Sequence, residues 1–100
     1  MWRGTTPTHV FYMPEEFSDA VFTDIYLSYA QRGKVILEKT LADITVSGTS
    51  LTVSLSQADT LLFHDGPVQI QMRGKLAGGR ALASNIIHTN AREVLKDGEI

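Results

Sequence analysis

The feature that most narrows what this chain can become is a two-residue hydrophobic period that recurs in separate short runs. In Leu51-Thr52-Val53-Ser54-Leu55-Ser56 every second residue is apolar and every intervening one is a hydroxyl. Val68, Ile70 and Met72 alternate in the same way with Gln69, Gln71 and Arg73. Side chains on an extended strand point alternately to opposite faces, so each run describes a strand with one buried and one solvated face. Ile25, Leu27 and Tyr29 define a third such strand, and residues 35–41 a fourth that returns after the turn Gln31-Arg32-Gly33-Lys34. Gly33 suits the positive φ that a tight hairpin turn requires. Residues 44–47 and 51–56, joined at Gly48-Thr49, read as a second hairpin. Residues 68–76 and 80–89, joined at Gly78-Gly79, read as a third.

The remaining segments complete the outline. Residues 8–13, stopped by Pro14, read as the first strand, and residues 91–95 as a last strand in preference to a short helix. One stretch breaks the alternation. Ser56 stands three residues ahead of Asp59 and is followed by Thr60-Leu61-Leu62-Phe63, a shortened capping box that predicts one helical turn crossing between sheets. Seven to eight short strands in 100 residues predict an all-β fold, an immunoglobulin-like antiparallel β-sandwich with one helical turn, residues 1–100 forming a single domain.

Composition then removes whole classes of function. Nine Lys and Arg against eleven Asp and Glu give a net charge of −2, without the basic footprint that counterion-driven nucleic-acid binding needs. The chain has no cysteine, which excludes disulfides and thiolate metal sites. Nothing near Met1-Trp2-Arg3-Gly4 resembles a secretion signal, and no run approaches the roughly 20 apolar residues of a membrane helix. The expectation is a protein made in the cytoplasm, with neither nucleic-acid nor membrane partners.

No constellation in the sequence points to catalysis. His9, His64 and His88 share no ligand spacing; only His9 and His88 would approach one another, if the first and last strands were neighbours. Ser84 and His88 are four apart, which on a strand separates them by roughly 13 Å, too far for proton transfer. Neither a metal nor a cofactor is expected, and the chain is not read as an enzyme. Arg73, Lys75 and Arg80, interleaved with Gly74, Gly78 and Gly79, form the only basic cluster; without the lysine-hydroxyl ending of a phosphate loop it reads as a hairpin whose charges guard a strand edge. Of the aromatic residues, Phe11, Tyr29 and Phe63 are the core candidates. Trp2 and Tyr26 lie outside the core pattern. Trp2 is either an interface anchor or a cover over an open end of the sandwich.

Several stretches together resemble small proteins encoded in prophages of Firmicutes, especially clostridia. They are residues 3–8, Gly33-Lys34-Val35-Ile36-Leu37-Glu38-Lys39, residues 51–57 with Thr60-Leu61, Ile70-Gln71-Met72-Arg73, residues 81–87, and the ending Leu95-Lys96-Asp97-Gly98-Glu99-Ile100. The layout is also distantly similar to the N-terminal immunoglobulin-like module of phage upper-baseplate proteins. That resemblance implies a virion structural protein, associated with a tail, baseplate or fibre, that binds other phage structural proteins and copies of itself. The chain departs from the pattern in having one module and no fibre or receptor-binding region. Burial of an aromatic patch plus strand addition at an open edge is the expected mode, with Trp2, Tyr12, Tyr26, Arg73, Lys75 and Arg80 as interface candidates. Two rival expectations remain: a carbohydrate- or cell-surface-binding module, and a small intracellular antagonist of a host defence protein.

Overall fold

A computed structural model describes residues 1–100. Eight strands, β1 (Thr8–Tyr12), β2 (Phe22–Gln31), β3 (Lys34–Thr40), β4 (Ile44–Ser47), β5 (Ser50–Ser54), β6 (Gly66–Leu76), β7 (Ala81–Ala83) and β8 (Ile87–Ala91), form two antiparallel sheets. One sheet has the order β1-β5-β4. The other has the order β3-β2-β6, with β7 and β8 pairing with successive parts of the far side of β6. If β1 is placed as strand B of the immunoglobulin pattern, the two sheets read B-E-D and C′-C-F-G. The expected all-β sandwich is therefore what forms.

The hydrophobic period fixes which faces meet. Ile25, Leu27 and Tyr29 of β2 and Val68, Ile70 and Met72 of β6 are buried against Ile44, Leu51 and Val53 of the smaller sheet. Leu55 and Phe63 close the core from the crossing between sheets; Tyr29 and Phe63 are fully buried and their rings meet edge to face at 5.9 Å. Burying a side chain such as Phe63 contributes about 2–3 kcal/mol. Phe11, the third expected core aromatic, is partly buried and packs against this cluster.

Local chemistry sets the turns. Arg32 and Gly33 both take positive φ (53° and 76°), so β2 and β3 are joined by a two-residue turn of the kind whose twist matches the strands. The short helix α1 (Gln57–Leu61) begins at Ser56. Its hydroxyl accepts from the Asp59 N–H at 3.1 Å while Asp59 Oδ2 accepts from the Ser56 N–H at 2.9 Å, the reciprocal capping box.

Three readings are corrected. The strand expected over residues 80–89 breaks in two. The Ser84 N–H donates to the Met72 carbonyl at 2.8 Å, and its hydroxyl accepts from the Met72 N–H at 3.0 Å. That hydroxyl takes over the role of a ladder carbonyl, and the chain leaves the sheet until Ile87. Residues 91–95 are not a strand: β8 ends at Ala91, and Arg92 makes only a single parallel bridge to Trp2. The second strand begins at Phe22, three residues before its alternation shows, because Phe22 lies over Gly74, where a Cβ would stand 3.0 Å from the ring.

Candidate protein-binding surfaces

Strand β1 is an edge with nothing to guard it. The Pro7 carbonyl accepts from the Leu55 N–H at 2.9 Å and the Met13 N–H donates to the Thr49 carbonyl at 2.7 Å, so odd-numbered residues carry the bonds to β5. In an antiparallel ladder the alternate residues point their main-chain groups the other way. The N–H and C=O groups of Thr8, Val10 and Tyr12 therefore face away from β5, where β1 has no further neighbour. The N-terminal segment does not fill that place. The Arg92 N–H donates to the Met1 carbonyl at 2.8 Å and the Arg3 N–H to the Arg92 carbonyl at 2.9 Å, which ties Met1–Arg3 alongside the end of β8. Val10 is 46% and Tyr12 78% exposed, and the strand contains no Lys, Arg, Asp, Glu or Pro.

Beneath this edge the inward residues are firmly held. His9 Nδ1 and the Tyr29 hydroxyl share a hydrogen bond of 2.8 Å. Burial, reinforced by the positive N-terminus, pulls the His9 imidazole below its ordinary pKa and so keeps it neutral. Tyr29 is pushed up, first by burial and then by the negative charge of Asp59, so its hydroxyl stays protonated.

The six interface candidates fall on separate surfaces. Tyr26, Arg73 and Lys75 come together on the outer face of the larger sheet, where Tyr26 stands directly opposite Arg73. With Asp24, Gly74 and Ala81 they line a shallow depression of about 330 Å³. Arg80 lies at the hairpin end and turns its guanidinium over the Phe17 ring, 5.9 Å from its centre. Trp2 is half exposed at the opposite end, bridged to Arg92 in the main chain and covered on one face by the Arg92 guanidinium at 5.7 Å. Tyr12 stands apart on the β1 edge.

A second concavity escaped the sequence reading. A cleft of about 540 Å³ opens at the β2–β3 turn, lined by Arg32, Lys34, His64, Asp65, Gln69 and His88 among others. Its wall is fixed by the buried Gln31, whose amide donates to the His64 carbonyl at 2.7 Å and accepts from the His64 N–H at 2.8 Å. The pairing envisaged for His9 and His88 does not occur, because His9 faces the core whereas His88, opposite Gln69, faces outward. Only the tertiary fold brings His64 and His88 to one cleft; nothing in their spacing signals it. No group of three potential metal-ligating side chains converges anywhere in the chain, and no helix is long and apolar enough to cross a membrane.

No protein-family model, curated protein or solved structure matches the chain.

Proposed function

We propose that this domain is a structural protein-binding module of a phage tail or baseplate, one that assembles through the open β1 edge. The observation that carries the reading is the combination on β1 of free main-chain groups, exposed Val10 and Tyr12, and no charge. Folded proteins ordinarily blunt such an edge with charge, proline, a bulge or a covering segment, because it is a template for strand addition. An edge left bare in this way is suited to accept a partner's strand. The phage assignment is supported by the resemblance of residues 3–8, 33–39, 51–57 and 95–100 to small prophage proteins. Quantitative mass spectrometry of purified particles tests it: the chain is expected at fixed copy number relative to tail proteins. Its absence from particles, with presence in the infected cell, would remove the virion reading.

One observation favours a second reading. Tyr26, half exposed beside Asp24, Arg73 and Lys75 in a shallow depression, has the composition of a sugar-stacking site. A glycan array showing binding that Tyr26→Ala abolishes supports this carbohydrate-binding role; an array with no hits removes it.

A further inference from the structure

We propose that the chain forms a two-fold symmetric dimer in which β1 pairs antiparallel with β1 of a second copy, with Val10 on the symmetry axis. The inference rests on the reading of β1 as a docking edge and names its occupant.

Self-complementarity is the reason for choosing a second copy. Centred on Val10, an antiparallel pair sets Val10 against Val10 and Thr8 against Tyr12 of the other copy. These are the residues whose N–H and C=O groups face away from β5. Every outward group then meets its complement, giving about six main-chain hydrogen bonds across the axis. A two-fold interface brings each residue near its own image or its partner's, so any charge on the strand would meet a like charge close to the axis. Thr8–Tyr12 has none, and His9 beneath it is held neutral.

The flanking chemistry fixes the register. Pro14, the next residue whose main chain would turn toward the new strand, has no N–H, so the pairing ends at Tyr12. A shift by one residue would turn the bonding groups of His9 and Phe11, which already serve β5, toward the new strand. The outward side chains of the neighbouring strands, Ser50, Thr52 and Ser54 on β5 and Thr45 and Ser47 on β4, are also uncharged. The joined sheet therefore carries one uncharged face across the axis, on which each Tyr12 ring lies over the other copy's Thr8. The remaining free edges suit a second copy less well: β4 has only four residues, β3 carries Lys34, Glu38 and Lys39, β7 has only three residues, and the end of β8 is taken by Met1, whose ammonium donates to the Asn90 carbonyl at 2.7 Å.

The test uses the full chain in sedimentation equilibrium across micromolar to millimolar concentration, with Val10→Lys and Val10→Glu as variants. The wild type is expected at twice the chain mass at the upper end. Each variant is expected to be a monomer whose unfolding midpoint matches that of the wild type at dilutions where the wild type is itself monomeric, since Val10 points to solvent in the single copy. Mixing the two variants is expected to restore a dimer, seen as the mixed species in native mass spectrometry, because opposite charges then meet on the axis. A wild type that stays monomeric throughout overturns the proposal, as does dimerisation of either variant alone at the wild-type concentration. Should the charged variants fail to fold, Val10→Cys gives an independent answer, the chain having no other cysteine. It is expected to crosslink on mild oxidation while Val35→Cys on the β3 edge does not; equal crosslinking of both, or of neither, overturns the proposal. A monomeric chain found at fixed copy number in particles removes self-pairing but leaves the assembly reading standing. A dimer absent from particles does the reverse.

Discussion

Strands β1 and β3 are both edges, and they solve the edge problem in opposite ways. By composition β3 is the more adhesive of the two: it is longer and contains Val35, Ile36 and Leu37 in succession. Yet it carries several of the usual deterrents. Lys34 and Glu38 stand on its exposed positions, and a bulge opposite Tyr29 and Ala30 disturbs its register with β2. Lys39, opposite the buried Leu27, faces inward and reaches Asp59 Oδ2 at 2.9 Å. An inward charge of that kind would lose its partner or its solvent if a foreign strand displaced it. Strand β1 has none of these. The comparison teaches that an edge is made receptive by the placement of its charges more than by its hydrophobicity.

Paired proline substitutions on β1 give the largest expected effect and can break the comparison outright. Phe11→Pro removes an N–H that serves the β5 ladder and is expected to cost about 3 kcal/mol in urea denaturation. Val10→Pro removes an N–H with no partner in the single copy and is expected to cost no more than about 1 kcal/mol. Equal losses would mean that the outward direction of the Val10 amide is wrong. On β3, Lys39→Ala deprives the Asp59 carboxylate of its cation and is expected to cost about 1–2 kcal/mol, read as a lower urea midpoint.

The anchors of the two edges are expected to fail at different pH. Because the folded His9 resists protonation, the unfolded chain takes up that proton first. Stability is therefore expected to fall as pH drops below 6.5, the ordinary value for histidine, until the folded ring itself titrates. Burial alone would raise the pKa of Asp59, but the Ser56 N–H, the hydrogen bond and charge of Lys39 and the Ser56 hydroxyl outweigh it and hold it low. Its contribution is present above 3.8, the ordinary value, and is lost below it as the folded carboxyl takes up its proton. Amide exchange, corrected for its intrinsic pH dependence, should show β1 losing protection at mildly acidic pH while β3 keeps it. Simultaneous loss would deny the two edges separate anchors.

The smallest expected effect is that of Tyr12→Ala, which should change folding stability by less than about 0.5 kcal/mol because the ring is exposed. Its effect should instead appear in self-association, measured by sedimentation. A stability loss comparable to that of Lys39→Ala would show that Tyr12 serves the fold.

Alternation made the strands around Leu27, Val53 and Ile70 legible in the sequence, and the Ser56 and Asp59 spacing made the crossing turn legible. Those signals are local. Lys39 was not legible as an inward residue because the partner that makes its burial tolerable lies on α1, and because the bulge near Ala30 shifts the count. Gln31 read as part of a turn, since only the folded chain places the loop around His64 against its amide. The break at Ser84 was hidden for a similar reason: a hydroxyl that substitutes for a ladder carbonyl leaves no mark on hydrophobic periodicity. The candidate surfaces were legible one residue at a time. Tyr12 was named, but its edge became visible only once the strand order showed β1 without an outer neighbour.

The two-residue turn at Arg32-Gly33 bears on the order in which the chain folds. It lets β2 and β3 meet with almost no loop to close, whereas β1 must find β5 across most of the first half of the chain, Thr8 pairing with Ser54. Long closures carry an entropic cost that must be met before their contacts return it, so the β2–β3 hairpin is expected early and β1 late. The guarded edge is then ready from the start, and the bare one takes shape only when the sandwich around it is nearly complete. A nascent chain would thus lack its adhesive edge during the interval in which misdirected strand pairing is most damaging.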